Sequence, residues 1–143
     1  MGILNIFGKS KKKKSFHLIN LINVANRDGI LDKNEIEYIT HIGHKLGFSK
    51  MEIFNHFENP SSYKLETPIS PKEVIEQLFD MVAVMLIDND INKKEIEYIT
   101  AYGVAMGIEE NYLHDTILEF VTGIKENIDK ENIRDSIKKL VYR

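Results

Sequence analysis

The sequence predicts an all-α fold of about seven helices, built from two copies of one helix-turn-helix unit. Apolar residues recur at helical spacing in every segment long enough to judge, and none alternates at period two. The heptapeptide Asn34-Glu35-Ile36-Glu37-Tyr38-Ile39-Thr40 returns sixty residues later as Lys94-Glu95-Ile96-Glu97-Tyr98-Ile99-Thr100, and 10 of the 23 positions from 26 to 48 are identical at that offset. Helix start and stop signals punctuate both copies at matching places. A duplication held in register without a gap predicts a helical bundle with a pseudo-two-fold axis, and such an axis can bring the equivalent turns of the two copies together.

The elements follow in order. Residues 1–14 hold a short apolar run (Ile3, Leu4, Ile6, Phe7) and then Lys9, Lys11, Lys12, Lys13 and Lys14, which reads as an apolar and polybasic tail. A single helical domain is expected over 15–143, with repeat halves at about 15–57 and 71–122. Ser15 is placed to cap a helix carrying Leu18, Ile19, Ile22 and Ala25, which Asp28-Gly29 ends. Asp32 caps the second helix, with Glu35 as its reciprocal capping-box partner, and Gly47 stops it. Ser49 opens a third, short helix with Ile53, Phe54 and Phe57. The polar stretch from Glu58 to Ser70, which contains Pro60 and Pro68, connects the halves.

Ser70-Pro71-Lys72-Glu73 opens the second half with a serine cap and proline at the first helical position. The helix it starts is apolar on most sides. Asn92 to Met106 repeats the second helix, Glu109 to Val121 the third, and Asp129 to Tyr142 adds an amphipathic helix through Ile133, Ile137, Leu140 and Val141. Gly43 and Gly103 fall within helices, where glycine costs about 1 kcal/mol against alanine. That cost predicts a close approach of the two glycine-bearing helices.

Composition limits the function classes. The absence of cysteine removes disulfides, thiolate metal sites and cysteine nucleophiles, which fits the cytoplasm. Residues 1–14 carry a charge of +5 and the remaining 129 carry −8. An acidic body argues against nucleic acid as a partner and suits cations or proteins. The lysine run adds a second expectation, peripheral contact with an anionic membrane through Lys9, Lys11, Lys12, Lys13 and Lys14, against the alternative of a solvated tail. No glycine-rich phosphate loop, nucleophile elbow or Ser, His and Asp order is present, so no enzyme is expected.

The residues with chemistry are Asp28, Asp32 and Glu35 in the first half and Asp88, Asp90, Asn92 and Glu95 in the second. Hard cations take several oxygen ligands from carboxylates, amides, carbonyls and water, so these turns predict a divalent metal, calcium or magnesium ahead of zinc. The competing reading is local. Asp32 and Asn92 can cap helices, Glu35 and Glu95 can close capping boxes, and Asp28-Gly29 can make a turn, leaving a structural module that binds proteins without metal. An EF-hand is excluded, because its first loop position falls on Val24 and its counterpart on Val84. Glu37, His41 and His44 share a helix face that could donate to zinc or iron. Their copies, Ala101 and Val104 among them, do not repeat the pattern.

The turn Ala25-Asn26-Arg27-Asp28-Gly29-Ile30-Leu31-Asp32 with Glu35-Ile36 following, and its second occurrence at Asp88-Asn89-Asp90-Ile91-Asn92 with Glu95, resembles the tellurite-resistance TerB family over about residues 15–122. That resemblance implies an all-helical, seven-helix, internally duplicated fold with Asp and Glu residues clustered at a metal site. It also implies a bacterial stress-response role at the inner face of the membrane. The first copy matches at Asp28, Gly29 and Glu35. The second departs, with Asn89 after Asp88 and Asn92 opposite Asp32, which removes one formal charge from the ligand set.

Overall fold

The computed structural model describes the backbone of residues 2–28, 31–60, 70–87 and 91–141, and the side chains of these except 2–10, 28, 134 and 138–141. Among the described residues the chain is all-helical, with seven α-helices and no strand. They are α1 (Gly2–Ala25), α2 (Lys33–Lys45), α3 (Lys50–Glu58), α4 (Pro71–Met85), α5 (Lys93–Ala105), α6 (Glu110–Lys125) and α7 (Lys130–Val141), with a short 3-10 turn, Asn26–Asp28, after α1. No described helix is long and apolar enough to cross a membrane. The chain divides into two compact units, Met1–Ile69 and Ser70–Arg143.

In the first unit α1, α2 and α3 pack mutually. Leu18, Leu21, Ile22, Val24 and Ala25 of α1, Ile39 and Ile42 of α2, and Ile53 of α3 form its buried core. The predicted caps at Asp32 and Ser49 are in place. Asp32 Oδ1 accepts from the Glu35 amide at 2.9 Å, and Ser49 Oγ accepts from that of Glu52 at 3.2 Å. Ser15 does not cap α1. The helix begins thirteen residues earlier, at Gly2, and Ser15 is buried within it. A serine that finds a partner across the core has no need of an N-terminal position, and its partner is His56 of α3 at 3.0 Å.

In the second unit α4 touches α5, α6 and α7, and α6 touches both α5 and α7. The apolar character of α4 is used: Val74, Ile75, Leu78, Met81, Val82, Val84 and Met85 are all buried. Ser70 caps it by accepting from the Glu73 amide at 3.2 Å. Phe79 and Phe120 stand perpendicular to each other, with ring centroids 5.5 Å apart. The amphipathic α7 docks through Ile133 and Ile137, 5% and 0% exposed.

One joint occurs three times. Between α2 and α3, Gly47 takes φ +96°, and the Phe48 amide donates to the Gly43 carbonyl at 3.0 Å. Between α5 and α6, Gly107 takes φ +95° and the Ile108 amide donates to Gly103 at 3.0 Å. Between α6 and α7, Asn127 takes φ +56° and the Ile128 amide donates to Gly123 at 2.9 Å. This is the Schellman ending, which satisfies a helix's last carbonyls at the expense of one left-handed residue. The following helix then turns back onto the glycine four residues before that position. A Cβ on Gly43 would stand 2.8 Å from Ile53 Cδ1, and one on Gly123 would stand 2.6 Å from Ile133 Cδ1. At Gly103 the obstructing side chain is Leu113.

These contacts account for both mid-helix glycines within their own units. The side chain over each glycine comes from the next helix of the same unit, ten residues on.

Candidate functional site

The acidic turns begin from their helix starts. Asp32 is half-buried ahead of α2, and its backbone at φ −83°, ψ 167° turns the carboxylate toward the first-turn amides. Glu35 answers by accepting from the Asp32 amide, with Oε1 at 3.5 Å. Asn92 heads α5 at φ −92°, ψ 133°, and its Oδ1 accepts instead from the Lys94 amide at 2.8 Å. The second copy therefore caps one residue earlier than the capping-box pattern predicts. The change in ψ rotates the side chain toward the nearer amide.

Glu35 and Glu95 are the most unusual members of the set. Each is 2% exposed, although both sit in the first turn of a helix directly after a polar segment. Such burial is costly for a carboxylate unless hydrogen bonds or positive charge compensate it. The positive end of the helix dipole supplies part of that compensation.

Of the seven predicted ligands, Asp88 and Asp90 and the side chain of Asp28 lie outside the described residues. Asp32 with Glu35, and Asn92 with Glu95, lie at the starts of α2 and α5, one pair in each unit. Among the described residues, no group of three or more His, Asp and Glu side chains is gathered closely enough to hold a metal ion. Glu37, His41 and His44 are exposed on α2. His44 is turned by its own helix end: Nδ1 lies 3.2 Å from the Phe48 carbonyl, to which a protonated ring nitrogen can donate.

Several buried polar links join residues outside the acidic turns. His56, 3% exposed, places Nδ1 2.6 Å from the Glu52 carbonyl and Nε2 3.0 Å from Ser15 Oγ. A carbonyl only accepts, so Nδ1 carries the proton, and in the neutral ring Nε2 accepts from the serine. One turn away, Lys11 Nζ meets Glu52 Oε2 at 2.8 Å. That lysine and the Ser49 amide hold the Glu52 carboxyl down to about 2. In the second unit Tyr102 donates to Gln77, and Lys130 Nζ lies 3.3 Å from the buried Asp80 and 4.8 Å from the Phe79 ring centroid. The partners in the Ser15–His56, Gln77–Tyr102 and Asp80–Lys130 links are separated by 25 to 50 residues, so no local spacing signals them.

Comparison with family models, with characterised proteins and with solved structures finds no match. The resemblance to the TerB family therefore rests on the two turn motifs alone.

Proposed function

We propose that this chain is a non-enzymatic, TerB-like helical module that takes a divalent cation, calcium or magnesium rather than zinc, at its acidic interhelical turns and acts through protein partners in a cytoplasmic stress response. The observation that carries the proposal is the matched burial of Glu35 and Glu95. Each is a nearly inaccessible carboxylate in a helix first turn, and each follows a turn holding further acids, Asp28 in one copy and Asp88 and Asp90 in the other. A cation at the turn would stabilise a buried carboxylate in both copies at once. The donors are all oxygen, from Asp, Asn and Glu, which suits a hard ion.

The test is thermal unfolding of the chelator-treated chain, titrated separately with calcium, magnesium, manganese and zinc. Binding to the folded state predicts a saturable rise in melting temperature with calcium or magnesium, equivalent to about 2.7 kcal/mol at a hundredfold excess over Kd. Asp28→Asn combined with Asp88→Asn removes that rise and leaves the metal-free melting temperature unchanged. No shift with any ion at millimolar concentration overturns the cation site.

The reciprocal contact of Asp32 with Glu35 favours a second reading, in which the acids are helix caps and the module works through protein contacts alone. Under it, Asp32→Ala costs about 1 kcal/mol with or without metal.

A further inference from the structure

The α2–α3 and α5–α6 joints share a backbone and oppose each other in charge. Residues 38–51 hold Lys45 and Lys50 and no acid, a charge of +2, whereas residues 98–111, sixty positions on, hold Glu109 and Glu110 and no Lys or Arg, a charge of −2. All four of these side chains are exposed. Ser49-Lys50 at the head of α3 stands where α6 has Glu109-Glu110.

Local helix energetics leaves two features of this split unaccounted for. Lys50 puts a positive charge in the first turn of α3, against the helix dipole. Glu110 suits the dipole of α6, but Glu109 is the N-cap there and makes no side-chain cap hydrogen bond, although Ser49 makes one at the equivalent position.

Exposed apolar residues accompany both charges. Met51 and Phe54, one turn apart on α3, are 67% and 57% exposed, and Leu118 on α6 is 64% exposed. Helical spacing puts Phe54 beside Lys50 on α3, and on α6 the corresponding row runs Glu110, His114 and Leu118. Asp115 and Glu119, both exposed, flank Leu118, so that residues 109–119 carry four acids and no Lys or Arg, a charge of −4.

We infer that the chain associates with a second copy of itself head to tail, the lysine-bearing face at the α2–α3 joint of one copy seating on the glutamate-bearing face of α6 in the next. Charge selects both the occupant and the pairing. Like faces would set Lys50 against Lys50 or Glu110 against Glu110, whereas unlike faces pair opposite charges and cover Met51 and Phe54 with the surface around Leu118. Because each copy carries one face of each kind, the contact propagates beyond two chains unless its rotation closes a ring. This inference does not rest on cation binding at the acidic turns.

Sedimentation velocity of the full chain tests it, over a concentration series reaching about 1 mM and at low and high salt. The average mass is expected to rise with concentration above the 16.6 kDa of one chain, and added salt is expected to lower it. Lys50→Glu and Glu110→Lys should each weaken association at least about tenfold. An equimolar mixture of these two variants should recover it, since the first keeps the glutamate face and the second keeps the lysine face. Phe54→Ser should weaken association by about tenfold as well. The three positions are exposed, and circular dichroism with thermal unfolding checks that each variant keeps its fold. The mass of one chain at every concentration, association that salt leaves unchanged, or undiminished association of a folded Lys50→Glu chain would each overturn the inference. Loss of association with Lys50→Glu but not with Glu110→Lys would point to a contact between like faces and overturn it too.

Discussion

The two units share a joint and differ in what ties their helices together around it. In both, a 13-residue helix buries a first-turn glutamate, an isoleucine and a glycine, at Glu35, Ile39 and Gly43 and again at Glu95, Ile99 and Gly103. Both end on a glycine in the left-handed region. The polar links described above differ between the units. The first unit joins α1 to α3 through Lys11 with Glu52 and Ser15 with His56, whereas the second joins α4 to α5 through Gln77 with Tyr102, and α4 to α7 through Asp80 with Lys130. A joint that needs a left-handed residue and an uncovered groove tolerates few residue types, so its copies remain alike. A buried hydrogen bond needs only two complementary groups, so the copies satisfy that need with different pairs.

The sharpest way to break the shared joint is to fill its groove. Gly103→Val is expected to destabilise the chain by about 3 kcal/mol, because the added side chain collides with Leu113, whose nearest atoms obstruct even a Cβ. Gly43→Val should cost somewhat less, since Ile53 leaves more room. Chemical denaturation of both variants measures the difference. Leu113→Ala should recover part of the loss in a double-mutant cycle, and an additive cycle would show that the contact is not the cause.

The divergent links should respond one unit at a time. Ser15→Ala removes the hydroxyl that His56 Nε2 uses, and Tyr102→Phe removes the donor to Gln77. Each is expected to cost about 1–2 kcal/mol, because a buried acceptor loses its donor. Hydrogen exchange then localises each effect: Ser15→Ala should raise exchange in α1 and α3, and Tyr102→Phe in α4 and α5. Uniform acceleration along the whole chain would contradict separate clasps.

The caps give a smaller contrast. Asp32→Ala is expected to cost about 1 kcal/mol and Asn92→Ala no more than that, since Asp32 belongs to a reciprocal pair and carries charge at a helix N-terminus. Equal melting temperatures for the two variants would show that the reciprocal contact adds nothing.

The smallest effect is electrostatic. The Glu52 carboxyl, lowered from 4.5 to about 2 by Lys11 and the Ser49 amide and hydroxyl, binds its proton less readily in the folded chain than in the unfolded one. Its contribution is therefore fully present above about pH 4.5 and is lost as pH falls toward 2. Lys11→Gln should flatten this part of the stability profile, and added salt should do the same. An unchanged acid limb in Lys11→Gln would remove Lys11 as the cause.

Local grammar made most of the helices legible. Ser49 with Glu52, Asp32 with Glu35 and Ser70 with Pro71 fix helix starts, and Gly47 and Gly107 fix helix ends, because each acts on amides or carbonyls within four or five residues. The third joint, Gly123 to Ile133, was readable in principle from the ten-residue spacing it shares with Gly43 to Ile53. Asn127 in place of glycine hides it, although asparagine adopts the left-handed region more readily than most residues. The start of α1 was not readable, since Ser15 looks like a cap whenever its neighbours alone are considered.

The all-α class, the doubling of the α2-type helix and the acidic character of both turns are legible without coordinates, since each follows from periodicity, identity or charge within a short window. Folding adds the rest: Gly43 and Gly103 receive side chains from their own following helices, Ser15 serves His56, and Glu35 and Glu95 are buried. The physical reason is range. Capping and helical periodicity act over a turn or two of chain, whereas burial and buried hydrogen bonds depend on which distant segments meet, and no local pattern encodes that meeting.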